Sequence, residues 1–339
     1  PAPAEAPAPP AAAGGTTAPP AAARPAATQA ATPAAARRAL RGAHRRRTLL
    51  AGGLGAVIVA IAVQALLLSP GKPSEAEALL ERAHDYYYQF DRRSNESAAA
   101  LYQRLIDERP ASAAAKAGLA NVLVQRVIRW PEGAPPVPAE AQNIRAAQAG
   151  GRLDSPWAGA TLDHAERLAR EAVALAPDTP LAHKALGLVL ALRGDATAAA
   201  AYERALALDP GMWEAWLNLG ELVANAGDPG TALTHYVKAY EAMRRRYADD
   251  PQRIGRWQAE LGVLIGETQM TLGRTDAARA WFREVLDYAP LHPGATAGLA
   301  AALVDAGDPG SARALCTDLV TRIGPLKDCE PYLPPDHQK

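Results

Sequence analysis

The sequence predicts an all-α fold, a solenoid of stacked helix pairs, and three observations carry that prediction. The stretch from Trp213 to Ala239 has the spacing of two short antiparallel helices. Trp213, Trp216 and Leu219-Gly220 fall on the first, Gly227-Asp228 makes the turn, and Ala232, Tyr236 and Ala239 fall on the second. The same offsets recur on both sides, as Leu186-Gly187, Gly194-Asp195 and Tyr202 before it and Gly266, Gly273, Ala278 and Phe282 after it. Composition agrees: the chain is 49% hydrophobic but only 5% aromatic, and alanine-rich sequences suit closely packed helices better than sheets.

The chain begins at Pro1 with no initiator methionine, which suits a processed chain or a fragment. Residues 1–36 are almost entirely Ala and Pro, with Glu5 and Arg24 as the only charges. Recurrent proline breaks any helix and there is too little apolar bulk to fold, so a disordered tether is expected. The 36 basic and 36 acidic residues of the chain cancel, yet six arginines crowd into residues 37–47. They abut residues 48–68 (TLLAGGLGAVIVAIAVQALLL), a run whose one strongly polar member is Gln64. About 20 apolar residues of helix cross a bilayer, and bases ahead of the run place the N-terminus in the cytoplasm. A cleaved signal peptide would have an unusually long N-terminal region and a core extended by Leu66-Leu67-Leu68, and a nucleic-acid patch would not sit flush against apolar residues. The expectation is therefore one uncleaved transmembrane helix. Gly52, Ala56, Ala60 and Gln64 recur every four residues along it, a small-residue face suited to self-association as a homodimer.

Residues 74–324 carry the helix pairs, about six of them. Ser74 and Glu77 form a capping-box pattern that opens the first pair, Glu75–Arg109. Its Asp85-Tyr86-Tyr87-Tyr88-Gln89-Phe90 segment is read as core and end cap, since nothing stacks before a first pair. The second pair starts at Ala113 with Leu119-Ala120 and is interrupted after Trp130. Residues 131–157, rich in Pro and Gly, form a long loop before a second helix at Ala160–Leu175. The third pair, Pro180–Pro210, lacks one residue in its second helix. The fourth lacks a closing proline, so its second helix should run on toward Asp249 and project beyond the stack. The fifth and sixth end at Pro290 and Gly324-Pro325, and residues 325–339 read as a proline-rich, non-helical tail.

These motifs resemble the tetratricopeptide (TPR) repeat, a family of protein-binding scaffolds that wind into a right-handed superhelix. In that family the first helix of each pair lines a concave groove. The resemblance implies a groove for a protein or peptide partner, with Asn121, Gln125, Lys184, Asn218, Glu221, Asn225 and Glu267 as its exposed polar lining. Lys184 and Asn218 match single positions of the carboxylate clamp of chaperone-binding members. The full set is missing, so capture of a peptide carboxylate is not implied. Layout adds a looser likeness to the membrane and periplasmic half of CadC/ToxR-type transcriptional activators, whose winged-helix domain these residues do not contain.

No catalytic, cofactor or metal-binding pattern emerges. The seven histidines are scattered, and no phosphate-cradling loop, Gly-x-Ser-x-Gly or four-ligand Cys/His cluster occurs. Cys316 takes the large-residue position of the last helix, and Cys329 lies in a tail free to turn back on it. The two pair as a disulfide if the compartment is oxidising; otherwise Cys316 is a small buried hydrophobe. The sequence thus predicts a single-pass bacterial inner-membrane protein with a periplasmic helix-pair domain and no nucleic-acid contact. It would act as an envelope scaffold or assembly factor, or alternatively as the sensor portion of a CadC/ToxR-like regulator.

Overall fold

The computed structural model describes residues 74–138 and 141–333. The expected tail, basic segment and transmembrane helix, including Gly52, Ala56, Ala60 and Gln64, lie outside the described residues. The described helices belong to one compact unit, Pro73–Lys339. They run in order α1 (Glu75–Tyr87), α2 (Arg92–Glu108), α3 (Ala113–Arg129), α4 (Ile144–Ala149), α5 (Pro156–Leu175), α6 (Pro180–Arg193) and α7 (Ala198–Leu208). They continue as α8 (Trp213–Asn225), α9 (Pro229–Arg246), α10 (Gly255–Thr271), α11 (Thr275–Tyr288), α12 (Pro293–Asp305) and α13 (Pro309–Ile323). Among the described residues there is no strand, and no helix is long and apolar enough to cross a membrane.

The six pairs are α1/α2, α3/α5, α6/α7, α8/α9, α10/α11 and α12/α13, each packed on its neighbours. Local chemistry sets the helix starts. Ser74 accepts from the Glu77 amide and Glu77 Oε2 accepts from the Ser74 amide at 2.7 Å, a closed capping box. Asp228 and Asp308 cap α9 and α13 by accepting from the amides three residues on. The residue missing from the third pair is absorbed at this point. Asp195 instead accepts from the Thr197 amide two residues on, and α7 starts late at Ala198 without a side-chain cap.

Close approach between paired helices depends on the Leu-Gly position. A Cβ added at Gly220 would fall 2.5 Å from the Tyr236 ring, so only glycine lets α8 lie this near α9. Tyr202 and Phe282 fill the same role against Gly187 and Gly266 in their pairs, Tyr102 packs on Gly118 of the next pair, and all three rings are fully buried.

Four expectations are corrected. Residues 131–157 are not a plain loop: they contain α4, capped by Asn143, and α5 starts at Pro156 under a Ser155 cap, not at Ala160. Prolines and glycines between these caps mask the short helical segments. The C-terminal tail is a 3₁₀ helix over Lys327–Tyr332, tethered where Cys316 and Cys329 are joined with Cα atoms 5.5 Å apart. The long α9 does not jut out freely. The 3₁₀ turn after it, Pro251–Ile254, brings Arg253 to Asp85 and Glu81 of α1. Finally, the aromatic segment of the first pair is not an end cap, because it turns into the concave face.

Candidate functional site

A cavity of about 140 Å³ lies on that concave face. Helix α3 supplies Gln125 and Arg129, α6 supplies Lys184, and α8 supplies Asn218 and Glu221. The side chains converge because successive pairs present their first helices to the same side. The rest of the wall is apolar or aromatic: Leu188, Leu217, Trp213 and Trp257, with Tyr87, Tyr88 and Phe90 from the first pair.

The insertion completes the wall. Gln142, Asn143 and Ile144 line the cavity, and Arg129 donates to Gln125 at 2.6 Å and to Gln142 at 2.8 Å. Gln148 donates to the Ala191 and Leu192 carbonyls, and Arg152 donates to the carbonyls of Ile128 and Ala141. The Ile128, Ala191 and Leu192 carbonyls lie in the last turns of α3 and α6, where carbonyls lack the usual intrahelical partner four residues on, and the Ala141 carbonyl lies in the insertion itself. The inserted segment is thereby fastened to the stack at several points.

The electrostatics are mixed. Lys184 is only 3% exposed and pairs with no carboxylate among the described residues. Its ammonium instead lies 5.3 Å from the centre of the Tyr87 ring, a cation–π contact. Arg129 stands 4.5 Å over the Phe90 ring, and burial lowers its pKa. Glu214 accepts from the Tyr88 hydroxyl; burial and then that carboxylate's charge raise the phenol's pKa well above its usual value. Burial pushes the Glu221 carboxyl up to about 7, with the Arg129 charge pulling the other way.

That shift has a testable sign. The carboxyl titrates near 4.5 in the unfolded chain and near 7 in the folded one, so the fold binds the proton more tightly. The stabilisation is complete below about pH 4.5 and lost as pH rises through 7, on the order of 2 kcal/mol. Glu221→Gln, which stays neutral, should melt about 5 °C higher than the parent at pH 8 and match it at pH 4.5. Thermal melts across this range check it, and parallel pH profiles would contradict the assignment.

Of the residues the sequence assigns to the groove, Gln125, Lys184, Asn218 and Glu221 meet at the cavity. Two were expected to be exposed and are not: Lys184 lies under the aromatic corner, and Asn121 is 2% exposed because α3 packs against α1, α2, α5 and α6. Asn225 is exposed and lines a neighbouring depression with Asn218 and Gln148. Glu267 is exposed and outside both. Sequence reasoning missed Arg129, Trp257, the corner aromatics and the residues of the insertion. The length of the insertion was the only signal for the last of these. No group of three or more potential metal ligands occurs among the described residues.

No curated protein matches the chain. Solved structures of similar fold include TTC0263, a thermophilic TPR protein of Thermus thermophilus. It is 17% identical over 68% of this chain and 99% of its own, with a TM-score of 0.44. YrrB, a TPR protein with an unusual peptide-binding site, is 16% identical over 67% of this chain and 95% of its own, with a TM-score of 0.43. PilW, a type IV pilus biogenesis factor, is 17% identical over 76% and 98%, with a TM-score of 0.47. The tetratricopeptide repeat family model matches residues 196–251 and 263–327. Residues 196–251 and 263–327 thus carry tetratricopeptide repeats, and the helix pairs before them are built on the same Leu-Gly and aromatic spacing.

Proposed function

We propose that the chain is a membrane-anchored interaction protein of the bacterial envelope, holding a protein or peptide partner against its concave face as a scaffold or assembly factor. One observation carries the reading: polar groups from α3, α6 and α8 converge on a cavity with aromatic walls. Recognition sites combine an apolar surface with a few placed polar groups in this way. The arginine-flanked apolar run at 48–68 supports the anchor, and the joined Cys316 and Cys329 fit an oxidising compartment beyond it.

The test is photo-crosslinking in living cells. A photoreactive residue at Asn218 should give discrete adducts with another protein, whereas one at Arg283 on the outer helix α11 should not. Equal adduct patterns at both positions, or none at Asn218, would remove the groove reading. A phosphatase reporter fused after Lys339 should be active only outside the cytoplasm. Activity of a cytoplasmic reporter there instead would remove the anchored topology.

A further inference from the structure

Between α1 and α2 the chain turns through Tyr88-Gln89-Phe90, and Tyr88 and Phe90 line the cavity of the concave face. Phe90 has φ 51°, the one non-glycine residue with positive φ among the described residues. A bulky side chain in that region is strained, and such strain persists only where surrounding contacts over-determine it. Here those contacts come from the groove. The Phe90 ring packs on Trp257 with centroids 4.2 Å apart and lies under the Arg129 guanidinium. The Tyr88 hydroxyl donates to Glu214, and the Tyr88 carbonyl accepts from the Trp257 indole at 3.0 Å. These partners stand 126 and 169 residues away, on α8 and α10. Apart from the groove, the corner is held by the Tyr88 and Gln89 amides donating to the His84 and Tyr86 carbonyls and by the Ser94 hydroxyl donating to Gln89 at 2.9 Å; the Arg253 pairs with Asp85 and Glu81 on α1 are exposed and contribute little.

We propose that this corner is a tethered occupant of the groove, displaced by a partner peptide carrying an aromatic-any-aromatic segment. The incoming phenol takes Glu214, and the second ring takes Trp257 and Arg129. This rests on reading the concave face as the partner site and adds the partner's chemistry and its gate. The corner itself shows which chemistry these walls accept: a ring with a hydroxyl, a backbone carbonyl, and a second ring beneath a guanidinium. While the corner is docked, partner affinity falls in proportion to the fraction of molecules in which the groove is free.

The test uses the purified full-length chain and a fluorescent peptide copying residues 85–92. A second peptide carries alanine at the positions copied from Tyr88 and Phe90. Three altered proteins are compared with the parent: Phe90→Ala, Tyr88→Phe, and Asp85→Cys/Arg253→Cys bridged by a short bis-maleimide. The native cysteines are joined to each other and do not react. Phe90→Ala should bind the copied peptide at least ten-fold more tightly than the parent, and Tyr88→Phe several-fold more tightly. The bridged protein should bind neither peptide, and the alanine peptide should bind the other proteins at least ten-fold more weakly than the copied one. Tyr88→Phe keeps the ring and so serves if Phe90→Ala melts too low to assay. Equal peptide affinity across the proteins overturns the proposal, as does equal binding of the two peptides or dimerisation in place of peptide uptake. If such a failure is accompanied by adducts at Asn218, the gate and its aromatic partner fall while the groove reading stands. Without those adducts both fall.

Discussion

Phe282→Ala is expected to cost about 4 kcal/mol, the largest loss from any single truncation in the later repeats. The ring is fully buried, between α10 and α12. A Cβ added at Gly266 or at Gly298 would fall 2.5 Å from it, so backbone lines both of its faces. Side chains can relax into a void, but the backbone of two packed helices has little freedom to follow, and the cavity left by alanine would stay open. Stability in a repeat array is a sum of neighbouring interfaces, so the loss should concentrate in the fifth and sixth pairs. Urea unfolding should show the loss, and amide exchange should quicken in α10–α12 while α3 and α6 keep their protection. A loss under about 1 kcal/mol would mean that the site collapses, contrary to the geometry.

Cys316→Ala/Cys329→Ala is expected to cost about 3 kcal/mol and to free the C-terminal tail. The residues are 13 apart in sequence, and closing a loop of that size restricts the unfolded chain by about this amount. The bond also does a local task. Cys329 and Leu333 are buried in one cluster with Leu299, Leu303 and Leu319, so the tail covers the apolar side of the last pair. A terminal repeat without such a cover leaves that side in water. Limited proteolysis should cut the double variant near Lys327 well before the parent, and its melting temperature should fall. Unchanged melting and unchanged cleavage would show that tail packing alone holds the end. Treatment of the parent with a thiol reductant is a weaker test, since both sulfur-bearing residues are fully buried.

The repeats were legible because their signals are local. A glycine that admits a facing ring, an Asp that caps the next helix and an alanine at the helix contact lie within one pair. Gly220, Tyr236 and Asp228 could therefore be placed without knowing the rest of the chain. The same locality explains the misses. Asn143 and Ser155 are ordinary helix caps, but prolines and glycines between them hid α4 and the start of α5. Lys184 sits on a helix face that normally meets solvent, and nothing near it in sequence announces that Tyr87 will cover it.

Sequence alone determined that this chain forms helix pairs, where most of them begin, and that Gln125, Lys184, Asn218 and Glu221 face a common side. Those properties follow from the helical period and from caps that act over three or four residues. Only the tertiary structure decided that this side is partly occupied. The turn at Phe90 meets Trp257 and Glu214 because small displacements, pair after pair, bring the first repeat against the fourth and fifth. Contacts between residues more than a hundred positions apart leave no periodic trace in a sequence, so the packing of this corner on Glu214 and Trp257 is a property of the stack as a whole.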